Sequence, residues 1–105
     1  MRTQPHVQQT SEALDILDYV VDEARRDLEL RRVLLFGSRA RGDARSGSDI
    51  DLAFEHESDD ATWAGFVNRM RDTAPTLLDL DLIDLDSVSP ELRSKVLAEG
   101  KVLYG

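Results

Sequence analysis

Two short apolar runs, each joined to a small polar signature, constrain this chain more than anything else in it. The first, Val33-Leu34-Leu35-Phe36, reads as a buried strand and leads directly into Gly37-Ser38-Arg39-Ala40-Arg41-Gly42. A glycine straight after a strand lets another backbone or a phosphate approach where a Cβ would stand. Ser38 adds a hydroxyl and a backbone N–H. Gly42 can close one helical turn in the left-handed conformation. After a loop of small and polar residues comes the second run, Ile50 to Phe54, headed by Asp49 and Asp51. Two residues apart on a strand, both aspartates point to one face, while Ile50, Leu52 and Phe54 point to the other.

Neighbouring carboxylates raise each other's pKa unless a cation lies between them. Hard oxygen donors that leave room for water and phosphate suit Mg²⁺, which is commonly held by one or two carboxylates plus substrate phosphates. Asp-x-Asp alone is a common accident, and its plainer reading is a hairpin with a solvated face. Joined to strand-Gly-Ser at this spacing, it points to a phosphate loop beside a metal-binding pair.

Charge narrows the partners. The chain of 105 residues carries a formal net charge of −8, which suits neither DNA nor RNA as a direct ligand, since phosphate neutralisation needs a basic surface. All of its basic residues except Lys95 and Lys101 are arginine, and Arg39, Arg41 and Arg45 fall in the motif loop. Arginine makes forked, charge-assisted bonds to phosphate. An acidic body with a basic loop fits a nucleoside triphosphate better than a polyanion. Arg39 and Arg41 each have two readings: a phosphate contact, or a pair with a nearby acid such as Asp43, Asp49 or Glu55. No cysteine is present, which excludes thiolate sites and fits a cytoplasmic protein. His6 and His56 are too few and too far apart for a zinc site. No apolar run approaches the roughly 18 residues that suggest a membrane span.

The length suits a single domain over residues 1–105, with residues 1–9 as a loose lead-in. Thr10 or Ser11 can cap a helix whose apolar stripe is Ala13, Leu14, Leu17, Val20, Val21, Ala24 and Leu28, flanked by Ile16 and Tyr19. Glu55 to Ser58 reads as polar loop. A second helix, capped at Ser58, Asp59 or Asp60 and running to about Thr73, carries Trp63, Phe66, Val67 and Met70. Pro75 ends that segment. Thr76 to Leu85 reads as a third strand, with Leu78, Leu80 and Leu82 on one face and Asp79 and Asp81 on the other. Ser89-Pro90-Glu91 starts a last helix with Leu92, Val96 and Leu97 on its apolar side and Gly100 at its end. Val102 to Tyr104 adds a short edge strand. The expected fold is α/β (α+β): a small mixed sheet of three to four strands, helices on one face, and the aspartates on the open face.

Gly37-Ser38, ten residues, then Asp49-x-Asp51 resembles the signature of the DNA polymerase beta-like nucleotidyltransferase superfamily. The fuller string, Phe36 to Ala44 and Ser48 to Leu52, is similar to its MNT (minimal nucleotidyltransferase) domains. The resemblance implies transfer of AMP from ATP to a hydroxyl, with two Mg²⁺ ions held by Asp49, Asp51 and a third carboxylate. Asp81 fits the third place best, in Leu80-Asp81-Leu82-Ile83, with Asp79 the alternative. It also implies that Gly37 and Ser38 hold the triphosphate, with Arg39 and Arg41 as further candidates. MNT proteins commonly accompany a HEPN-domain toxin, so the implied acceptor is a tyrosine of that toxin and the implied role is antitoxin by AMPylation. Two other functions stay open. One is an inert antitoxin acting by contact; the other is a nucleotidyltransferase acting on a small molecule such as an aminoglycoside. A homo-oligomer is also possible.

Overall fold

The computed structural model describes residues 11–45 and 47–105. The lead-in over residues 1–9, His6 and a cap at Thr10 lie outside the described residues, as do the side chains of Ala13 and Leu14. The elements are α1 (Ser11–Asp27), β1 (Leu30–Phe36), α2 (Ser38–Arg41), β2 (Ile50–His56), α3 (Asp60–Thr73), β3 (Leu80–Asp84), α4 (Pro90–Glu99) and β4 (Lys101–Tyr104). The four strands form one mixed sheet in the order β3-β2-β1-β4. β1 runs antiparallel to both β2 and β4, and β2 runs parallel to β3. That parallel step needs a crossover, which α3 supplies.

Strand parity divides the sheet. Val33 and Leu35 of β1, Ile50, Leu52 and Phe54 of β2, and Leu82 of β3 face one layer. There they meet Ile16, Leu17, Val20 and Ala24 of α1 and Phe66, Val67 and Met70 of α3. Ile16, expected only to flank the stripe of α1, is 2% exposed and belongs to the core, while Tyr19 stays at its margin. Phe54, Trp63 and Phe66 make tilted and edge-on ring contacts 5.3–6.0 Å apart, the geometry that aromatic quadrupoles favour.

On the opposite face, helices were expected to be absent. Instead α4 covers part of it: Val96 packs on Leu34, Ala53 and Leu85, with Leu92 and Phe36 at the margin of the same cluster. Leu97, expected on the same apolar side, is 42% exposed. One residue on from Val96 it is turned about 100° around the helix.

Pairing moves the strand ends from where composition puts them. β1 begins at Leu30, not Val33, because Leu30 and Arg32 find partners in His56 and Glu55. The same pairing carries β2 through Glu55 and His56, which read as loop. β3 is shorter than Thr76–Leu85. Residues 74–78 turn locally, with the Thr76 N–H on the Ala74 carbonyl and the Leu78 N–H on Thr76 Oγ1. The ladder starts only where the Ile50 N–H reaches the Asp79 carbonyl, at 2.9 Å.

The caps follow their chemistry. Asp59 accepts from the Thr62 N–H at 2.7 Å, and Ser89 accepts from the Leu92 N–H with Pro90 in the first position. Gly100 closes α4 with its N–H on the Val96 carbonyl, yet its φ is −69°, so no left-handed turn is involved. Its need is space, since a Cβ would crowd that carbonyl and the Leu34 side chain. Among the described residues no helix is long and apolar enough to cross a membrane.

Candidate active site

The end of β1 delivers Gly37 with φ +74°, a backbone state that side chains rarely tolerate. A Cβ there would also overlap the Asp51 carboxylate. The turn and the carboxylate are therefore packed together, and glycine is required on two counts. α2 is a single turn: the Ala40 and Arg41 N–H groups both bond the Gly37 carbonyl at 3.1 Å. Gly42, at φ +86°, closes it in the left-handed conformation with its N–H on the Ser38 carbonyl. The chain returns through a loop pinned by the Ser48 N–H on the Arg45 carbonyl and the Arg45 N–H on Ser48 Oγ. Arg45 and Asp49 are exposed.

Register then sets one row across three strands. Phe36 is the antiparallel partner of Asp51, and Asp81 is the parallel partner of Asp51. Directly opposed residues share a face, so Phe36, Asp51 and Asp81 stand side by side, with Asp49 just before β2. Burial pushes the Asp51 carboxyl up to about 6, with the nearby charges of Asp81 and then Asp49 adding to the rise. Arg39 opposes it. Asp79 lies one step before β3 and engages through its carbonyl. Asp84 opposes Phe54 on the other face, and Asp86 pairs with Arg93 at 3.0 Å.

The two motif arginines separate. Arg39 is 1% exposed. Its Nη2 donates to the Ser48 carbonyl at 2.7 Å, and its Nε lies 3.3 Å from the carbonyls of both Ser48 and Asp49. Its side chain is thus turned inward onto backbone carbonyls, and its charge also acts on the Asp51 carboxylate. Arg41 is exposed and lies against Asp43 at 3.3 Å and Glu99 at 3.5 Å. Its charge is held at the surface beside the turn.

The donor set fits magnesium. It consists of carboxylate oxygens whose mutual repulsion a cation relieves. Among the described residues no three acidic or histidine groups close into a metal cage on their own. Mg²⁺ rarely asks for one, because it keeps waters and takes phosphate oxygens.

Two features escaped the sequence reading. His56 is buried inside the core layer, with Nε2 3.2 Å from Asp84 Oδ2 and its ring stacked on Trp63 at 5.0 Å. Its Nδ1 accepts from the Ser58 N–H. The signal was parity: His56 continues the Ile50, Leu52, Phe54 alternation. The other is Phe36, whose place beside Asp51 follows from the same alternation on β1.

The Polymerase beta, Nucleotidyltransferase family matches residues 18–105. A comparison with curated proteins finds no match. Among solved structures, the chain is similar to a chain of a toxin–antitoxin crystallised with AMP-PNP, with 27% identity over 91% of this chain and 74% of that one, TM-score 0.68. A chain of the MntA-HepT toxin–antitoxin shares 25% identity over 88% and 72%, TM-score 0.66. A third similarity is to a chain from the tri-AMPylated Shewanella oneidensis HEPN toxin in complex with MNT antitoxin, with 26% identity over 90% and 72%, TM-score 0.65.

Proposed function

This chain belongs to the polymerase beta nucleotidyltransferase family, and from that premise we propose that it is an antitoxin that transfers AMP from ATP to a tyrosine of a HEPN-domain toxin. One observation carries the chemistry: Asp51 stands between Gly37, packed against its carboxylate, and Asp81, opposite it on β3. A phosphate-binding turn and a pair of opposed carboxylates on one face are what an in-line phosphoryl transfer needs.

In this reading Gly37 and Ser38 receive the triphosphate through backbone and hydroxyl, and Arg41 supplies a surface charge to it. Asp49, Asp51 and Asp81 would hold magnesium, two ions in the family's pattern, which neutralises the phosphoryl oxygens and polarises the attacking hydroxyl. The tyrosine oxygen forms a bond to the α-phosphorus as the bond to pyrophosphate breaks. Its proton passes to the Asp81 carboxylate, the acid on the edge strand and the more exposed of the opposed pair. Positioning and charge neutralisation do most of the work.

Support for the acceptor comes from the neighbours, which are toxin–antitoxin complexes, one with an AMPylated HEPN toxin and one with AMP-PNP. The net charge of −8 agrees: a HEPN toxin, a small RNase in the family's pattern, needs a basic patch for RNA, and an acidic partner meets such a patch favourably. An AMP ester on that patch adds negative charge and repels the substrate. Intact-mass measurement of a HEPN toxin co-expressed with this chain tests the proposal. Each modified tyrosine gains about 329 Da, the mass fixed by loss of pyrophosphate. A toxin that is inhibited but unmodified overturns the transfer reading, as does AMP from labelled ATP that ends up only on a small molecule.

A further inference from the structure

We infer that Arg39 is the positioning residue of this site: its buried guanidinium ties the phosphate-binding turn to the head of the carboxylate strand and so sets Asp49 against Asp51. The inference rests on the nucleotide-transfer reading of those aspartates.

The geometry is specific. Arg39 leaves α2 one residue after Ser38 and two after Gly37, the glycine packed on Asp51. Its Nη2 and Nε reach back to the carbonyls of Ser48 and Asp49, the last residues before β2. Between these anchors the chain runs through Gly42, Asp43, Ala44, Arg45 and Gly47, small or polar residues that bring no apolar side chain to the core. The loop closes on itself through the Arg45–Ser48 bonds but has no apolar anchor that would fix where Asp49 stands. The arginine provides an anchor from below, on rigid ground, since Ala40 beside it is buried in the core layer.

The residue type matters. A guanidinium is always charged, and it presents coplanar donors that can bridge two successive carbonyls. A lysine offers a point charge and no fork. Burying a charge is tolerated when its donors find acceptors, and Nη2 and Nε find theirs in the Ser48 and Asp49 carbonyls. Carbonyls drawn to the arginine fix the peptide plane between Ser48 and Asp49, and with it the direction in which the Asp49 carboxylate leaves the chain. A displacement near 1 Å in such a group costs about 100-fold in rate.

The test compares Arg39→Lys and Arg39→Met with the native chain in AMP transfer and in binding of Mn²⁺ followed by water-proton relaxation, with a non-hydrolysable ATP analogue present. The inference expects both variants to lose kcat by about 100-fold, with Mn²⁺ affinity down about tenfold, the usual effect of losing a partner that orients metal ligands. The KM for ATP is expected to change less than about threefold. Tenfold higher KM with intact kcat and Mn²⁺ binding would instead make Arg39 a phosphate ligand and overturn the inference. Full activity in Arg39→Lys overturns it too, since charge alone would then suffice. A native chain that binds no Mn²⁺ brings down the nucleotide-transfer reading and this inference with it, whereas native binding with unchanged variants brings down this inference alone. Should neither variant fold, the Arg39 Nε–H resonance of the native protein decides. Slow exchange and an unmoved shift on adding Mg²⁺ and the analogue support the buried fork, and fast exchange or a large phosphate-induced shift overturns it.

Discussion

The two faces of the sheet are made by the same strands, often by adjacent residues, and they do opposite things. On β2, Ile50, Leu52 and Phe54 point into the layer under α1 and α3, and all three are fully buried. Asp51, between them, points the other way and is lifted toward neutrality by its surroundings. The first face stabilises by removing apolar area from water. The second holds repelling acids in place using stability supplied by the first. Chemistry and folding are thus separated by a single step along the chain, which makes their separation open to experiment.

The largest contrast comes from the acidic face. Asp49→Asn with Asp51→Asn is expected to abolish AMP transfer, a loss of at least about 1,000-fold given the weight of electrostatic stabilisation in such sites. The far-ultraviolet circular dichroism and the cooperativity of melting should stay native. Retained activity in that double variant would remove these aspartates from the site. Phe54→Ala, three residues from Asp51 on the buried face, is expected to cost about 3–5 kcal/mol, read as a lower denaturation midpoint. A small loss there would mean that the aromatic cluster of Phe54, Trp63 and Phe66 is not the keystone of that layer.

On β3 the comparison sharpens to a choice between neighbours. Asp81→Asn should lower turnover by about 100-fold or more, the usual contribution of a positioned proton acceptor. Asp79→Asn should lower it by less than about fivefold, an allowance for indirect effects, since Asp79 engages the ladder through its carbonyl and not its side chain. The reverse order would place the third carboxylate before the strand rather than on it.

The smallest effect is on stability against pH. The folded Asp51 carboxyl, raised to about 6, binds its proton more tightly than in the unfolded chain. The native state therefore holds more protons between about pH 4 and pH 6, and stability falls as pH rises through that window. Partial exposure screens the effect to about 1 kcal/mol. Melting temperatures of the native chain and Asp51→Asn should then diverge with rising pH, with the asparagine variant the more stable at pH 7. Parallel curves would show that Asp51 is solvated after all.

The alternating stretches carried most of this architecture in plain view. Leu80, Asp81 and Leu82 announce a strand with an acidic face, and Ser89-Pro90-Glu91 announces α4. What stayed hidden was set by partners distant in sequence. β1 starts at Leu30 and β2 ends at His56 because each is the other's neighbour, a fact absent from either segment alone. The turn before β3 looked like strand because Leu78 and Leu80 alternate with Asp79, but no ladder exists until β2 begins. The cover from α4 depends on where Val96 lands after a chain reversal. Arg39 and Arg41 looked alike in the motif loop, and only the carbonyls of Ser48 and Asp49, brought up by the fold, hold Arg39 inward while Arg41 stays out.

The parallel pairing of β2 with β3 has a consequence in time. Gly37 and Asp51 are joined by an antiparallel pair of strands close in sequence, so that half of the site closes over a short loop. Asp81 reaches Asp51 across the α3 crossover, a longer closure that is entropically dearer and expected to be slower. During synthesis and refolding the Gly37 turn, Asp49 and Asp51 are therefore expected to assemble early and Asp81 to arrive last. Pulse-labelled hydrogen exchange should show amides of β1 and β2 protected before those of β3. Until that step is finished the pairing of Asp51 with Asp81 is incomplete, so the proposed transfer is expected of the completed fold alone.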